Sequence, residues 1–219
     1  MNVMMNYIPL IMQGIKITLA AWIWSVAGSL TIGFTLGIIS CNYLNMPVVR
    51  FCVKTYTFVA KGIPAYVHIL IAYFVIPALL GIHVSAFTCA TVALALCSGG
   101  YATEVVAAGI NAIDRGQWDA CFVLGYPMHK AITRIICPQA IRIIFPMLLG
   151  EAEQLLKSTC LLATIGVTEL TRTGQNIISR ELNPFAVYVM IACVYLSFSG
   201  IIQVAVYVLK RRRRPYGSC

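Results

Sequence analysis

Residues 62–103 read GIPAYVHILIAYFVIPALLGIHVSAFTCATVALALCSGGYAT and include no Asp, Glu, Lys or Arg. These 42 residues are about twice the ~20 that a helix needs to cross a bilayer once. A turn-like break, Leu80-Gly81-Ile82-His83, divides the run near its middle. The sequence therefore predicts two membrane spans joined by a short loop.

Other apolar stretches extend this pattern in both directions. Of the 219 residues, 60% are hydrophobic and 11% are charged, whereas a soluble domain is about 25% charged. We therefore predict an all-α integral membrane protein, with residues 1–219 forming one transmembrane domain. Five spans are predicted, at residues 8–41, 56–80, 84–108, 142–166 and 184–209. We expect the first span to be retained, because no basic segment precedes it and it has no clear small-x-small cleavage site.

The distribution of basic residues predicts the orientation. The formal net charge is +9, and five of the sixteen Lys and Arg residues form the run 210–214, directly after an apolar stretch. A nucleic-acid-binding protein clusters its basic residues on a polar face, so we exclude that class. Other basic residues flank the first connection (Arg50, Lys54 and Lys61) or lie in the third (Arg115, Lys130 and Arg134). The positive-inside rule assigns these regions to the cytoplasm, with the C-terminus inside and the N-terminus outside.

Catalytic, metal and nucleotide sites find no support in the sequence. The nine cysteines are scattered without a CxxC pair or a Cys/His cluster, so we interpret them as small apolar packing residues and predict no metal site. The chain contains no GxxxxGK[ST] motif, and we do not expect it to hydrolyse ATP itself. We therefore expect neither an enzyme nor a cofactor bound to this chain.

The connection between the third and fourth predicted spans carries the most informative motif. Residues 116–146 read GQWDACFVLGYPMHKAITRIICPQAIRIIFP. An amphipathic helix that includes Trp118 is followed by a helix stop at Gly125, where a left-handed backbone is expected. A second helix begins near Ala131 and is predicted to break at Pro138. From these residues alone, a helix lying on lipid is as good an interpretation as a helix docked to a protein.

This connection resembles the EAA loop of ABC importer permeases, in their polar amino acid branch. The pattern of that family is GQ-x-EAA-x-x-LG, followed after about a dozen residues by PQA. The residues that match it are Gly116, Gln117, Asp119, Ala120, Leu124, Gly125, Pro138, Gln139 and Ala140. Further matches, in chain order, are Lys61-Gly62-Ile63-Pro64 with RGTP, Tyr101 and Glu104 with AY-x-x-E, 155–159 with LLKDTSL, and 165–170 with IGV-x-EL.

The resemblance implies an ABC type I importer permease that carries a polar or basic amino acid across the bacterial inner membrane. In the family this loop, here about residues 114–137, is the coupling helix that docks into a cytoplasmic ATPase subunit. The implied partners are two cytoplasmic ATP-binding subunits, a second permease subunit, an extracytoplasmic solute-binding protein, the amino acid and membrane lipid. ATP would then act on the partner subunits. The implied coupling residues are Gly116, Gln117, Asp119, Ala120, Leu124, Gly125 and Pro138.

The chain departs from the family pattern at five positions. Asp119 replaces the family Glu and Cys121 replaces the second Ala, both of them mild changes, and Lys61 replaces the Arg of RGTP. Two larger departures are Ala107, where the family usually has Arg, and Ser158, where it has Asp. Both fall near the implied translocation path, so they bear on which substrate is carried.

The fourth predicted span holds the charged residues Glu151, Glu153 and Lys157. A charge at the centre of a membrane helix costs about 2.5–3.5 kcal/mol on insertion scales, so we expect these side chains to face a bundle interior or a wet cavity. Glu153 and Lys157 share one helix face, and Glu151 points roughly the opposite way. The pair either binds the two charges of an amino acid or neutralises itself. The candidates for the substrate path are Lys157, Glu153, Glu104, Tyr101 and Thr159.

Two other functions are compatible with a membrane-spanning chain. A secondary transporter or channel driven by ion gradients would use Glu104, Glu151 and Glu153 as proton or sodium sites. A membrane scaffold would need no such site. The loop at 116–146 favours the importer, because a secondary transporter has no need of a helix that docks an ATPase.

Overall fold

The computed structural model describes the backbone of residues 7–44 and 46–212, and the side chains of these residues up to 208. All regular structure in these residues is helical, which confirms the predicted all-α class. A 3₁₀ turn, Asn42–Leu44, joins the first helix to the second. The helices are α1 (Ile8–Ile39), α2 (Pro47–Gly62), α3 (Ala65–Leu80), α4 (Ala86–Asn111), α5 (Arg115–Val123), α6 (Met128–Ile165), α7 (Leu170–Glu181) and α8 (Pro184–Arg212).

Four of these helices, α1, α4, α6 and α8, are each long and apolar enough to cross a membrane. The helices α2 and α3 together form a fifth candidate span, bent by 101°. The break predicted near Gly81 is confirmed, since α3 ends at Leu80 and Gly81 has a left-handed φ of 64°. The side chains of the basic run 210–214 lie outside the described part of the chain, so its predicted position stays a prediction.

The second span differs most from the sequence-based expectation. Helix α2 already begins at Pro47, and the chain breaks at Ile63, whose backbone is extended (φ −99°, ψ 132°). The following Pro64 has no N–H and disfavours helical backbone in the residue before it. Lys61 lies in the last turn of α2, and its amino group contacts the middle of α4. Lys61 therefore lies at the end of a helix that packs against α4, and its predicted cytoplasmic side stays a prediction.

The predicted helix break at Pro138 is wrong. Helix α6 continues through this residue because a π-helical turn (Ile132–Ile136) precedes it, with the N–H of Cys137 bonded five residues back to the Ile132 carbonyl. This wider turn accommodates a residue that cannot donate a backbone hydrogen bond. Helix α3 has the same arrangement, with Pro77 two residues beyond its π-helical turn. The helix that contains the predicted span 142–166 accordingly begins at Met128, and the whole of Met128–Ile165 is the candidate span.

Small residues let α1 approach α4 closely and fix the position of α4. A Cβ atom on Gly33 would lie only 2.5 Å from the Cβ of Ala102, so a larger residue there would force the helices apart. The Ser29 hydroxyl donates a hydrogen bond of 3.1 Å to the Ser98 hydroxyl. Such close packing is typical of helices in membranes. The face of α4 that points away from α1 is thereby turned toward α2 and α6.

Candidate functional site

A cavity of about 270 Å³ lies beside the break between α2 and α3 and is closed by α4 and α6. We call it the central cavity. It contacts α4 between Leu94 and Tyr101, which is the middle of that helix. Its polar lining comes from Lys61, Cys97, Ser98, Tyr101, Glu151, Gln154 and Ser158. Charged side chains at the middle of membrane helices are costly unless they serve a polar path or site, so this cavity is the candidate site.

Lys61 joins two of the residues predicted for the substrate path. Its amino group lies 2.5 Å from a carboxylate oxygen of Glu104 and 5.6 Å from the ring centre of Tyr101. The second distance is within the range of a cation–π contact. Lys61 itself is absent from the sequence-based candidates, although the adjacent Gly62-Ile63-Pro64 is a signal for a helix break at this point.

Glu151 lines the central cavity from α6, whereas Glu153 and Lys157 do not. The Lys157 ammonium donates a 2.7 Å hydrogen bond to Glu153, and the Gln203 amide of α8 donates a 3.1 Å bond to the same oxygen. The Glu153 side chain is 13% exposed and that of Lys157 51%. A role for this pair in the substrate path stays a prediction. The acidic residue that lines the cavity is Glu151, which is not among the residues predicted for the substrate path.

Ser158 and Thr159 have different surroundings although they are adjacent. Ser158 lines the central cavity. Thr159 is fully buried, and its hydroxyl donates a 2.6 Å hydrogen bond to the Leu156 carbonyl. The hydroxyl that faces the cavity thus belongs to Ser158, the position where the chain departs from the family pattern.

Helix α5, which we call the coupling segment, ends in a tightly bonded turn. The N–H of Tyr126 bonds to the Cys121 carbonyl at 2.9 Å, and the N–H of Gly125 bonds to the Phe122 carbonyl at 3.0 Å. This pair of bonds is the Schellman motif, which requires a left-handed residue after the helix. Gly125 has a φ of 68°, which confirms the predicted helix stop.

Two sides of the coupling segment have different environments. Trp118 is buried and stacks on Tyr43, with ring centres 3.9 Å apart and planes inclined by 11°. A hydrogen bond of 3.2 Å from Gln139 to Gln117 joins the segment to α6. On the outer side, an apolar ridge is 86%, 82% and 72% exposed at Phe122, Val123 and Leu124 respectively. Gly116, Asp119 and Ala120 are exposed as well.

Glu169 organises the connection between α6 and α7, outside the candidate spans. Its buried carboxylate accepts backbone N–H bonds from Thr171 (2.8 Å) and Arg172 (2.7 Å), which cap the start of α7, and a 3.1 Å bond from the Tyr195 hydroxyl of α8. Burial raises the pKa of the Glu169 carboxyl, while these hydrogen bonds act in the opposite direction. The sequence contains this residue within 165–170 but does not reveal that it links two helices.

Comparison with known proteins identifies the class of this architecture. The family model described as "binding-protein-dependent transport system inner membrane component" matches residues 29–215. The putative glutamine transport system permease protein GlnP of Rickettsia conorii is 32% identical over 202 residues, which are 92% of each chain. The arginine transport system permease protein ArtQ of Bacillus subtilis is 35% identical over 165 residues, 75% of this chain and 74% of its own length.

Solved structures agree with these relatives. A chain in the crystal structure of an amino acid ABC transporter with histidines superposes with a TM-score of 0.87 at 30% identity, covering 96% of this chain and 97% of that one. A chain of the inward-facing MetNI methionine ABC transporter superposes with a TM-score of 0.81 at 16% identity, which shows a shared fold. These matches favour the importer over a transporter driven by ion gradients. The chain belongs to the family of inner membrane components of binding-protein-dependent transport systems and has the fold of an ABC importer permease.

Proposed function

We propose that this chain is the permease subunit that carries a polar amino acid through its central cavity into the bacterial cytoplasm. The relatives named above are permeases for glutamine and arginine, which supports an amino acid as substrate. We further propose that it works with a second permease subunit, two cytoplasmic ATP-binding subunits and an extracytoplasmic solute-binding protein. Its N-terminus lies outside and its C-terminus in the cytoplasm, in keeping with the basic residues near Lys130 and Arg134.

The observation that carries the proposal is the pairing of opposite charges in the central cavity. Lys61 enters it from α2 and Glu151 from α6, so the cavity offers one cation and one anion. A free amino acid carries one carboxylate and one ammonium, and each finds an opposite charge here. The cavity also borders Ala65, the first residue of α3, and the first N–H groups of a helix are available to a ligand because no complete turn precedes them. Such broken membrane helices are typical of substrate sites in transporters.

The coupling segment provides the mechanical link to ATP. The apolar ridge at Phe122–Leu124 is too exposed to stabilise this chain, and it projects from a helix whose ends are both capped. Asp119 adds one negative charge beside it. We propose that the ridge inserts into an ATP-binding subunit and that Asp119 meets a basic or donor group there. ATP binding on that partner then moves α5 as a rigid piece, and the α6 helix, which is joined to it through the hydrogen bond between Gln139 and Gln117, moves with it.

Reconstitution tests this function. The complete complex in proteoliposomes, with its solute-binding protein outside and ATP inside, is expected to accumulate tritiated L-glutamine or L-arginine. A chain without its ATP-binding subunits is expected to accumulate neither, even under a proton or sodium gradient. Uptake by the isolated chain under an ion gradient would contradict the proposal and favour the ion-gradient-driven alternative.

A further inference from the structure

A second cavity, of about 330 Å³, lies between α2 and the half of α4 that leads to the coupling segment. We call it the coupling-side cavity. Its charged lining residues are Arg50, Lys54 and Glu104. Of these two cavities, Lys61 lines the central one and Glu104 lines the coupling-side one. The ion pair between them therefore marks the boundary between the two cavities.

The helices α2 and α4 touch at this boundary. A Cβ atom on Gly100 would lie 2.7 Å from the Cβ of Ala60, and one on Gly99 would lie 2.8 Å from the hydroxyl oxygen of Tyr56. A solute has no room to pass between the helices. The Lys61 and Glu104 side chains are 35% and 50% exposed, so they border the open edge around which a solute would have to move.

We propose that Lys61 exchanges its partner during transport: Glu104 binds it while the central cavity is empty, and the carboxylate of the amino acid binds it when the cavity is filled. Glu104 is then a positioning residue that holds the boundary closed and competes with the substrate. The inference rests on the proposed amino acid substrate. It adds the residue that the substrate must displace before it can leave toward the coupling segment.

The charges in both cavities keep the free-energy cost of this exchange small. Lys61 faces a carboxylate in either state, so its charge is never left unpaired beside apolar side chains. Glu104, once released, remains in a cavity lined by the cations Arg50 and Lys54. Water screens a half-exposed ion pair, so replacing one carboxylate by another changes the free energy little. Glu151 stays in the central cavity to meet the substrate ammonium.

Equilibrium binding distinguishes this role from a structural one. The complete complex in nanodiscs, without ATP and without solute-binding protein, would be titrated with tritiated L-glutamine and with tritiated L-arginine. Because Glu104→Gln removes the competitor, we expect it to tighten binding several-fold. Lys61→Met should abolish binding. The exchange Lys61→Glu with Glu104→Lys restores a pair but presents a carboxylate to the central cavity, so it should assemble and fail to bind. Lys16→Met is the matched control, because the exposed Lys16 lines neither cavity, and it should bind like the natural chain.

A purely structural pair predicts the opposite pattern. In that case Glu104→Gln and Lys61→Met would lower the yield of assembled complex alike, and the charge exchange would restore both yield and binding. That result, or weaker binding by Glu104→Gln at normal assembly, overturns the inference while leaving the proposed function intact. If the natural complex binds neither amino acid and accumulates neither in proteoliposomes, the proposed function fails and this inference fails with it.

Discussion

The coupling segment and the central cavity are built in contrasting ways. The caps of the coupling segment come from neighbours in the sequence, between Asp114 and Tyr126, and its only conformational demand is the left-handed Gly125. The central cavity combines residues far apart in the chain, Lys61, Tyr101 and Glu151, around a broken helix and an ion pair. The contrast fits the two proposed roles: rigid local bonding suits a part that transmits movement, and exchangeable contacts suit a part that binds and releases a solute.

The largest expected effect is a loss of uptake when a carboxylate is removed from one face of α6 and not from the other. Glu151→Gln removes the only carboxylate in the described lining of the central cavity, and losing one partner of a buried charge pair typically costs about 2–5 kcal/mol. We therefore expect amino acid uptake by the reconstituted complex to fall by roughly 30-fold or more. The matched control Glu153→Gln makes the same chemical change on the other face and should retain most uptake. Equal losses in the two variants would mean that the cavity is not the binding site.

The second effect concerns the coupling segment alone. Valine at Gly125 would have to adopt a φ of 68°, which costs an L-residue about 1–2 kcal/mol and lowers the population of the capped turn by roughly 5–30-fold. Gly125→Val should reduce uptake and co-purification with the ATP-binding subunits by a similar factor, while amino acid binding in the cavity persists. Gly200→Ala is the control, since a Cβ there meets no neighbour. Normal co-purification of Gly125→Val would remove the docking role of this helix.

A smaller effect is expected from the Glu153–Lys157 pair. Its lysine is half exposed, and such pairs contribute about 0–1 kcal/mol. In a cycle of Lys157→Met, Glu153→Gln and the double variant, each single change should lower assembly more than the double change does. Uptake per assembled complex should stay near that of the natural chain. A double variant that assembles normally and transports nothing would instead assign the pair to the substrate path.

The smallest effect is a pH dependence at Glu169. Burial raises its pKa above the ordinary value of 4.5, so the folded chain holds this proton at pH values where the unfolded chain has lost it. The free energy of unfolding should therefore fall as the pH rises from 4.5 through the folded pKa. Thermal unfolding in detergent would show a shallower slope for Glu169→Gln, with Glu181→Gln as the control. Identical slopes for natural chain and Glu169→Gln would contradict this origin.

Local signals explain what the sequence predicts well. The end of α5 depends on Gly125 and on Pro127 two residues later, and the break after Leu80 depends on Gly81; all are readable within a few positions. The opposite directions of Glu151 and Glu153 follow from about 100° of helix rotation per residue. Which of these two faces meets a cavity depends on α2 and α4, and that information lies in no single segment.

The differences between the sequence-based expectations and the structure also depend on information outside the local sequence. The charge of Lys61 marks only the edge of an apolar run in the sequence, but α2 extends from Pro47 and brings its amino group against Tyr101 of α4. Pro138 looks like a helix break because a proline cannot donate a backbone hydrogen bond, but a π-helical turn before it accommodates the ring. A π-helical turn cannot be recognised from the amino-acid composition of its residues.

Protection of engineered thiols by substrate tests most directly whether the central cavity holds the amino acid. In a transporting complex whose nine natural cysteines are replaced, Ser158→Cys puts a thiol into the cavity and Lys157→Cys puts one on the neighbouring, exposed position. The rate of reaction with a small methanethiosulfonate reagent would be measured with and without L-glutamine or L-arginine. Binding in the central cavity predicts that a transported amino acid slows the reaction at residue 158 and leaves residue 157 unchanged. Protection at 157 without protection at 158 would contradict it and would assign the substrate to the Glu153–Lys157 face.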